Sequence, residues 1–308
     1  MKQSKITGYD GYMLSLRTWD QVEAPRGVVQ LFHGMAEHIS RYDEFARYLN
    51  KEGYVVVGHD HRGHGHSKKS DLPLGYLGPD GFNRVVDEGF LVTDHIKKKY
   101  PGKKLYLFAH SFGSFVGQKY ACRYGDHLDG MILSGSAMKQ GLDISLGRHL
   151  GNFHKILFTD KKPARFLDKV SFMTFNNKFK PARTDFDWLS TDSAQVDKYI
   201  GDPLCGYLCP INFFVELARG LSDLYNKKDL AKLPKTLPIL MIAGQDDPVS
   251  NYGKTLEKLK DLYQDLGLER VDLTLYQGCR HELVNETIKG QVFERVGKWL
   301  KSSDENLL

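Results

Sequence analysis

The chain has 308 residues, 41% of them hydrophobic and 26% charged, which excludes a disordered chain and allows one large globular domain or two. Its net charge of +5 is mild and does not predict a nucleic-acid partner. No apolar run approaches the roughly 20 residues of a membrane-spanning helix, and residues 1–10 lack the apolar core of a signal peptide. We therefore expect a soluble, cytoplasmic protein.

Apolar runs alternate with segments of helical spacing along most of the chain. Residues 9–20 and 28–32 predict two strands, and a hairpin with its turn at 24–27 is expected. The other strands are predicted at 54–57, 104–109, 129–134, 237–243 and 270–276, and the helices at 41–51, 82–100, 114–124, 252–266 and 286–300. This alternation predicts a mostly parallel sheet with helices on both faces, interrupted from about 137 to 234.

A serine ends the apolar run at 104–109 and a helix-compatible stretch follows it. Ser111 stands between Ala109 and Gly113, and such small flanking residues allow strand and helix backbones to approach closely. The pattern is that of a nucleophile elbow, with alanine at a position where glycine is usual. The alternative is a serine in an ordinary turn between strand and helix.

Four motifs follow the ends of different predicted strands. They are Gly34-Met35, Ser111, Asp247 and His281. Ligands of parallel α/β sheets bind beyond the carboxyl ends of the strands, so these motifs are expected to form one site. A serine nucleophile needs a histidine base, and the histidine needs a carboxylate to orient it. The amides of Met35 and Phe112 are the candidate donors to an oxyanion.

Neighbouring residues compete for these roles. Asp246 adjoins Asp247, and residue chemistry alone does not separate them. His110 adjoins the serine, but successive side chains of a sharp turn point apart, so it is expected to pack beneath the turn. Glu37 and His38 follow the first motif, where bracing of the loop is expected rather than catalysis.

Two groups of side chains raise the question of a metal ion. A glycine-rich loop carries His59, His61, His64 and His66. No carboxylate or cysteine set completes a site there, so a tight turn is expected and no metal. Cys205 and Cys209 lack a second pair of ligands and are predicted to be buried or loop thiols.

The chain resembles the monoacylglycerol lipase/lysophospholipase-like branch of the α/β-hydrolases, whose domain is also called serine aminopeptidase-type. The similar segments are His33-Gly34-Met35-Ala36-Glu37-His38 with Arg41-Tyr42, then 60–67, 109–113, 244–247 and 278–282. The resemblance selects Asp247 over Asp246. It implies an α/β fold with a mostly parallel eight-stranded sheet, no cofactor, a core at 1–137 and 233–308, and a helical cap at 138–232.

The expected cap is rich in phenylalanine and in basic residues. Some phenylalanines are expected to pack the cap on the core, and Phe153, Phe158, Phe172 and Phe175 are candidates to line an acyl pocket. Residues 138–183 contain ten lysines and arginines against three aspartates, a local net charge of +7. This pattern fits a solvated cap face over a phenylalanine core, and alternatively a transient contact with an anionic membrane surface.

The predicted function is hydrolysis of carboxylic esters of single-chain acyl lipids, such as monoacylglycerol or lysophospholipid, through an acyl-enzyme on Ser111. One alternative is an aminopeptidase or amidase, for which Glu216, Asp202 or Asp187 would have to anchor a free amino group. Another is a non-catalytic ligand-binding protein on the same scaffold. Comparing turnover of an aminoacyl anilide with that of a monoacylglycerol separates the amidase from the esterase. Labelling of Ser111 by a fluorophosphonate would count against the non-catalytic protein.

Overall fold

A computed structural model describes residues 1–138 and 159–304 of the chain. Its centre is one sheet of eight strands in the order β1-β2-β4-β3-β5-β6-β7-β8. The strands are β1 (Lys2–Thr7), β2 (Met13–Trp19), β3 (Gly27–Phe32), β4 (Tyr54–His59), β5 (Lys104–His110), β6 (Gly130–Ser134), β7 (Ile239–Gly244) and β8 (Val271–Tyr276). From β4 to β8 all neighbours are parallel, which confirms the predicted mostly parallel eight-stranded sheet.

The start of the sheet differs from the prediction. Strand β2 pairs antiparallel with β1 and β4, so the hairpin expected between 9–20 and 28–32 is wrong. The tight turn lies earlier, where the Gly8 amide donates to the Tyr12 carbonyl at 2.7 Å. Strand β1 carries mostly exposed polar residues, so it lacks the apolar alternation that marks a half-buried strand.

Helices cover both faces of the sheet. They are α1 (Asp43–Lys51), α2 (Gly81–Lys99), α3 (Phe112–Tyr124), α4 (Arg165–Phe172), α5 (Ser193–Gly201), α6 (Ile211–Asp223), α7 (Lys227–Leu230), α8 (Lys254–Asp265) and α9 (Lys289–Asp304). On one face Phe45 and Leu49 of α1 pack with Phe293 and Val296 of α9. Helices α2, α3 and α8 bury their apolar faces in the second core. This double covering buries the central strands β3, β4 and β5 along nearly their whole length.

Helices α4 to α7 lie in the long connection between β6 and β7, where the strand–helix alternation is lost. A hydrogen bond joins two distant parts of this connection, since the Ala164 amide donates to the Cys209 carbonyl at 3.0 Å. It also contacts the helices that cover the sheet, because α6 packs against α2. Within the described ranges, no helix has the length and hydropathy needed to cross a bilayer.

Candidate active site

Ser111 lies between β5 and α3 in a strained backbone conformation. Its φ of 51° and ψ of −119° fall where residues with a side chain are rarely found. The Ser111 amide donates to the Ser134 carbonyl at 3.0 Å, and the Ser111 carbonyl accepts from the Ser114 hydroxyl at 2.6 Å. Bonds on both sides therefore hold the turn, and strand, sharp turn and helix follow one another as predicted.

Small residues around the serine are required by the approach of α3 to the sheet. A Cβ on Gly113 would lie 2.4 Å from the His33 carbonyl oxygen, which excludes any side chain there. Ala109 is fully buried on β5, and a Cβ on Gly117 would lie 3.0 Å from the Ala109 methyl carbon. The alanine fits where glycine is usual because a glycine of α3 faces it.

The three side chains predicted to act together lie in one hydrogen-bonded row. His281 Nε2 lies 2.8 Å from Ser111 Oγ, and His281 Nδ1 lies 3.0 Å from Asp247 Oδ2. Asp247 follows β7 and His281 follows β8, and both are buried. The second carboxylate oxygen of Asp247 accepts from the Val249 amide at 2.8 Å. With Nδ1–H donating to Asp247, the Nε2 lone pair faces the serine hydroxyl.

The surroundings of His281 favour its charged form. Burial lowers the pKa of the imidazole, but the charge and hydrogen bond of Asp247 outweigh burial and raise the pKa above its ordinary value of 6.5. The more distant carboxylates of Glu282 and Glu37 act in the same direction. The ring is thus prepared to take a proton from Ser111 and to hold it next to Asp247.

The structure separates the rival residues. Asp246 pairs with Lys178 at the surface, whereas Asp247 contacts His281. His110 is buried, with its ring centroid 4.8 Å from that of His281. Burial and the nearby His281 lower the pKa of His110 to about 4, so it stays neutral beside the triad.

The loop after β3, residues 33–38, carries the candidate oxyanion donor Met35 and is named the oxyanion loop. Its side chains orient the peptide that contains the Met35 amide. Glu37 accepts the Gly34 amide, and His33 Nδ1 lies 2.8 Å from the Gly34 carbonyl oxygen. Since the carbonyl of Gly34 is held by His33, the Met35 N–H of the same trans peptide points away from that ring. A Cβ on Gly34 would lie 3.2 Å from the Ser111 Cβ, so this peptide is beside the serine. The Phe112 amide starts α3, where amides have no acceptor within the helix.

A buried ion-pair network joins this loop to the histidine loop. Arg41 donates to Glu37 at 2.7 Å and to both carboxylate oxygens of Glu282 at 2.7 and 2.6 Å. Burial raises the pKa of Glu282, but the Arg41 guanidinium holds it well below its usual range. Glu37 and Arg41 stand four residues apart, which marks them as partners, but nothing in the sequence points to Glu282, 241 residues after Arg41. The expected bracing role of Glu37 agrees with these contacts.

Trp188, which the sequence interpretation did not select, packs on the histidine. Its ring centroid lies 5.1 Å from that of His281, and its carbonyl accepts the His281 amide at 3.4 Å. Phe172 stacks on Trp188 at 5.9 Å, and Phe175 meets Trp188 edge-on at 4.9 Å. Two predicted pocket residues therefore lie one ring away from the triad histidine. Phe153 and Phe158 lie outside the described residues.

The histidine-rich loop forms a buried aromatic cluster beneath the oxyanion loop. His61 packs edge-on against Phe32 and Phe112, and His64 stacks on Phe112. Burial lowers the pKa of His59 and His64 to about 4, which keeps these rings neutral. The fourth histidine of the tract, His66, is exposed. The tract therefore packs as the tight turn that its glycines predict.

Known proteins resemble this chain along nearly its whole length. The family model "Serine aminopeptidase, S33" matches residues 23–288. Human monoglyceride lipase is 27% identical over 96% of this chain and 89% of its own length. The monoacylglycerol lipase of Mycolicibacterium smegmatis is 27% identical over 97% of both chains.

A solved structure shows the same fold. The thermostable carboxyl esterase of Bacillus coagulans, crystallised with glycerol, superposes with a TM-score of 0.90 at 23% identity and covers 98% of both chains. The model match spans far more than half of the chain, and the sheet is the one that the resemblance implies. The chain therefore belongs to the serine aminopeptidase S33 family of α/β-hydrolases and is similar to its monoglyceride lipases.

Proposed function

We propose that this chain hydrolyses esters of single-chain acyl lipids through an acyl-enzyme on Ser111. The enzyme class, a carboxylic-ester hydrolase, follows from its monoglyceride lipase relatives. The observation that carries the mechanism is the row Ser111–His281–Asp247, with heavy-atom distances of 2.8 and 3.0 Å. These distances lie in the range that proton transfer between a nucleophile and its base requires.

Each half-reaction uses the same histidine. Ser111 Oγ attacks the acyl carbonyl carbon while His281 Nε2 takes the hydroxyl proton, and the amides of Met35 and Phe112 stabilise the oxyanion. His281 then gives its proton to the leaving alcohol as the ester C–O bond breaks. A water molecule, deprotonated by His281, attacks the acyl-enzyme and releases the fatty acid, and the proton returns to Ser111.

The substrate class is supported by the apolar surface next to the histidine. Phe172, Phe175 and Trp188 form a ring cluster that reaches His281, and all three belong to the connection between β6 and β7. We propose that residues 138–232 form a cap over a core of 1–137 and 233–308. An aromatic wall of this kind suits an acyl chain rather than a charged substrate.

The aminopeptidase alternative needs a carboxylate that is available to a substrate amino group. Asp187 already accepts from the amide of Arg183 and the hydroxyl of Thr184, and Asp202 faces His38 at 2.9 Å. Glu216 is buried and holds the Gly81 amide at 2.9 Å. All three candidate anchors thus serve the fold, which favours the ester substrate. The intact row Ser111–His281–Asp247 argues against a non-catalytic ligand-binding protein.

Contact with a lipid surface would fit the exposed face of α4. Phe166, Val170 and Met173 are 52%, 51% and 61% exposed and recur at helical spacing. Arg165 and Lys169 lie on the same helix. Exposed apolar side chains among basic ones are typical of transient binding to anionic membranes.

A panel of p-nitrophenyl esters of graded chain length, with one monoacylglycerol, one lysophospholipid and one aminoacyl anilide, tests the proposal. We expect burst kinetics, a preference for acyl esters over the anilide, and loss of at least about 1,000-fold in kcat for Ser111→Ala. Ser222→Ala, which changes an exposed serine of α6, is the matched control. Full esterase activity in Ser111→Ala would show the mechanism to be wrong.

A further inference from the structure

Three potential metal ligands meet next to the oxyanion loop. In the part of the chain that the structure describes, one group of three such side chains has its ligand atoms within 4.8 Å of one another: His38, Asp202 and Cys205. His38 Nε2 lies 2.9 Å from Asp202 Oδ2. Two ligands of one zinc ion stand about 3 to 4 Å apart, so small side-chain movements would gather all three around an ion.

The backbone holds these donors in place. The Cys205 amide donates to the Asp202 carbonyl at 2.9 Å, which closes a tight turn after α5. The next amide, of Gly206, donates to the Ala36 carbonyl at 3.0 Å, so this turn is fastened to the oxyanion loop that carries His38. The donors come from segments 164 residues apart, yet their relative position is set without an ion.

The imidazole has an unused nitrogen. His38 is only 7% exposed, and its Nδ1 has no hydrogen-bond partner among the described residues, while Nε2 contacts Asp202. A buried polar atom without a partner destabilises the fold. Asp202 is the one hydrogen-bond partner of this ring among the described residues, so Nε2 can turn from Asp202 to an ion while Nδ1 carries the ring proton.

The local charge also favours a cation. Among the described residues, the charged groups that act most strongly on the Cys205 thiol are the guanidinium of Arg41 and the carboxylates of Glu37, Asp202 and Glu282. Burial, together with the carboxylates, raises the pKa of the thiol. With the thiol neutral, three negative charges face one positive charge, a surplus of two. A divalent ion balances this surplus.

We propose that His38, Asp202 and Cys205 bind a zinc-class divalent cation that links the oxyanion loop to the connection between β6 and β7. Nitrogen, carboxylate oxygen and thiolate sulfur suit Zn²⁺ and Co²⁺, not Mg²⁺ or Ca²⁺, and a water molecule completes a tetrahedron. Binding replaces the Cys205 S–H bond with a sulfur–metal bond and releases one proton to solvent. The sequence interpretation considered Cys205 together with Cys209 and, finding no second pair of ligands, predicted buried or loop thiols.

Titration of the metal-free full chain with Zn²⁺ and with Co²⁺ tests this site. We expect one Zn²⁺ per chain by calorimetry, a sulfur-to-cobalt charge-transfer absorption in the near ultraviolet, and no saturable binding of Mg²⁺. Cys205→Ser should abolish the absorption and weaken Zn²⁺ binding by about 100-fold. Cys209→Ser, four residues further and also buried, is the matched control and should retain both.

Asp202→Asn provides a second variant in case Cys205→Ser does not fold. It keeps the thiol, so the cobalt absorption should persist at higher ion concentration while Zn²⁺ affinity falls by about 10-fold. Absence of the absorption in the unmodified chain, or its equal loss in Cys209→Ser, would overturn the proposal. None of these measurements uses an ester substrate, so their outcome is independent of the proposed hydrolysis.

Discussion

Two buried histidines at the carboxyl ends of the strands have pKa values that are shifted in opposite directions. His281 lies against the carboxylate of Asp247, and its pKa is raised above 6.5. His59 ends β4, neither of its ring nitrogens has a partner among the described residues, and burial lowers its pKa to about 4. Both rings are fully or almost fully buried. Burial alone thus keeps an imidazole neutral, and one adjacent carboxylate reverses the effect and makes the ring a base.

Asp247→Asn removes the group that distinguishes the two histidines and should have the largest effect. We expect kcat/KM for a p-nitrophenyl ester to fall by roughly 1,000- to 10,000-fold, because the imidazole loses its orientation and the stabilisation of its charge. The base works only when neutral, so a raised pKa places the acidic limb of the pH–rate profile above 6.5. Without Asp247 that limb should move to lower pH.

The control for this variant is Asp246→Asn, which removes the neighbouring surface carboxylate that pairs with Lys178. It should keep kcat/KM within about threefold. A large loss in Asp246→Asn with activity kept in Asp247→Asn would show that the structure assigns the wrong aspartate to His281.

Glu282→Gln tests the carboxylate that raises the pKa of His281 less than Asp247 does and has no hydrogen bond to the ring. Breaking its bidentate pair leaves the Arg41 charge partly unpaired in a buried site, so the free energy of unfolding should fall by about 3 kcal/mol in urea titrations. The acidic limb should also shift down, by less than in Asp247→Asn, since Glu282 contributes less to the raised pKa. Glu52→Gln, whose carboxylate pairs with Lys301 at the surface, is the control. Unchanged stability in Glu282→Gln would contradict the role given to the network.

His59→Leu tests the neutral histidine and should have the smallest effect. A histidine with a pKa of 6.5 unfolded and about 4 folded binds its proton more readily when unfolded, so it destabilises the fold as pH falls from 6.5 towards 4. Each such group costs up to about 1.4 kcal/mol per pH unit in that window. The leucine variant should match the parent at pH 7.5 and lose less stability at pH 5.

Thermal unfolding from pH 7.5 to 4.5 measures the difference. His66→Leu, which changes an exposed histidine of the same loop, should keep the acid sensitivity of the parent. If the His59→Leu variant lost as much stability at low pH as the parent, the acid sensitivity would come from other groups. His64 and His110 are buried histidines whose pKa is likewise lowered to about 4.

Sequence patterns predicted those parts of the molecule that depend on short-range order. The carboxyl ends of parallel strands meet at one edge, so Ser111, Asp247 and His281 were expected together and do lie together. Trp188 and the Arg41–Glu282 pair were not found, since their contacts join segments far apart in the chain. The pairing of β2 with β4 was missed for the same reason.

The space between β5 and α3 at Ala109 and Gly117 has room for one methyl group. Either of these two positions can supply it. With Ala109 in place, a Cβ on Gly117 would be 3.0 Å from it, while its next neighbours, Leu107 and Leu133, would be at 3.6 Å. The double exchange Ala109→Gly with Gly117→Ala should therefore fold and keep Ser111 in position, whereas Gly117→Ala alone forces α3 or β5 to shift by a few tenths of an ångström. Family members with glycine at the elbow would then be free to carry alanine in the facing helix, so the two positions are expected to vary together.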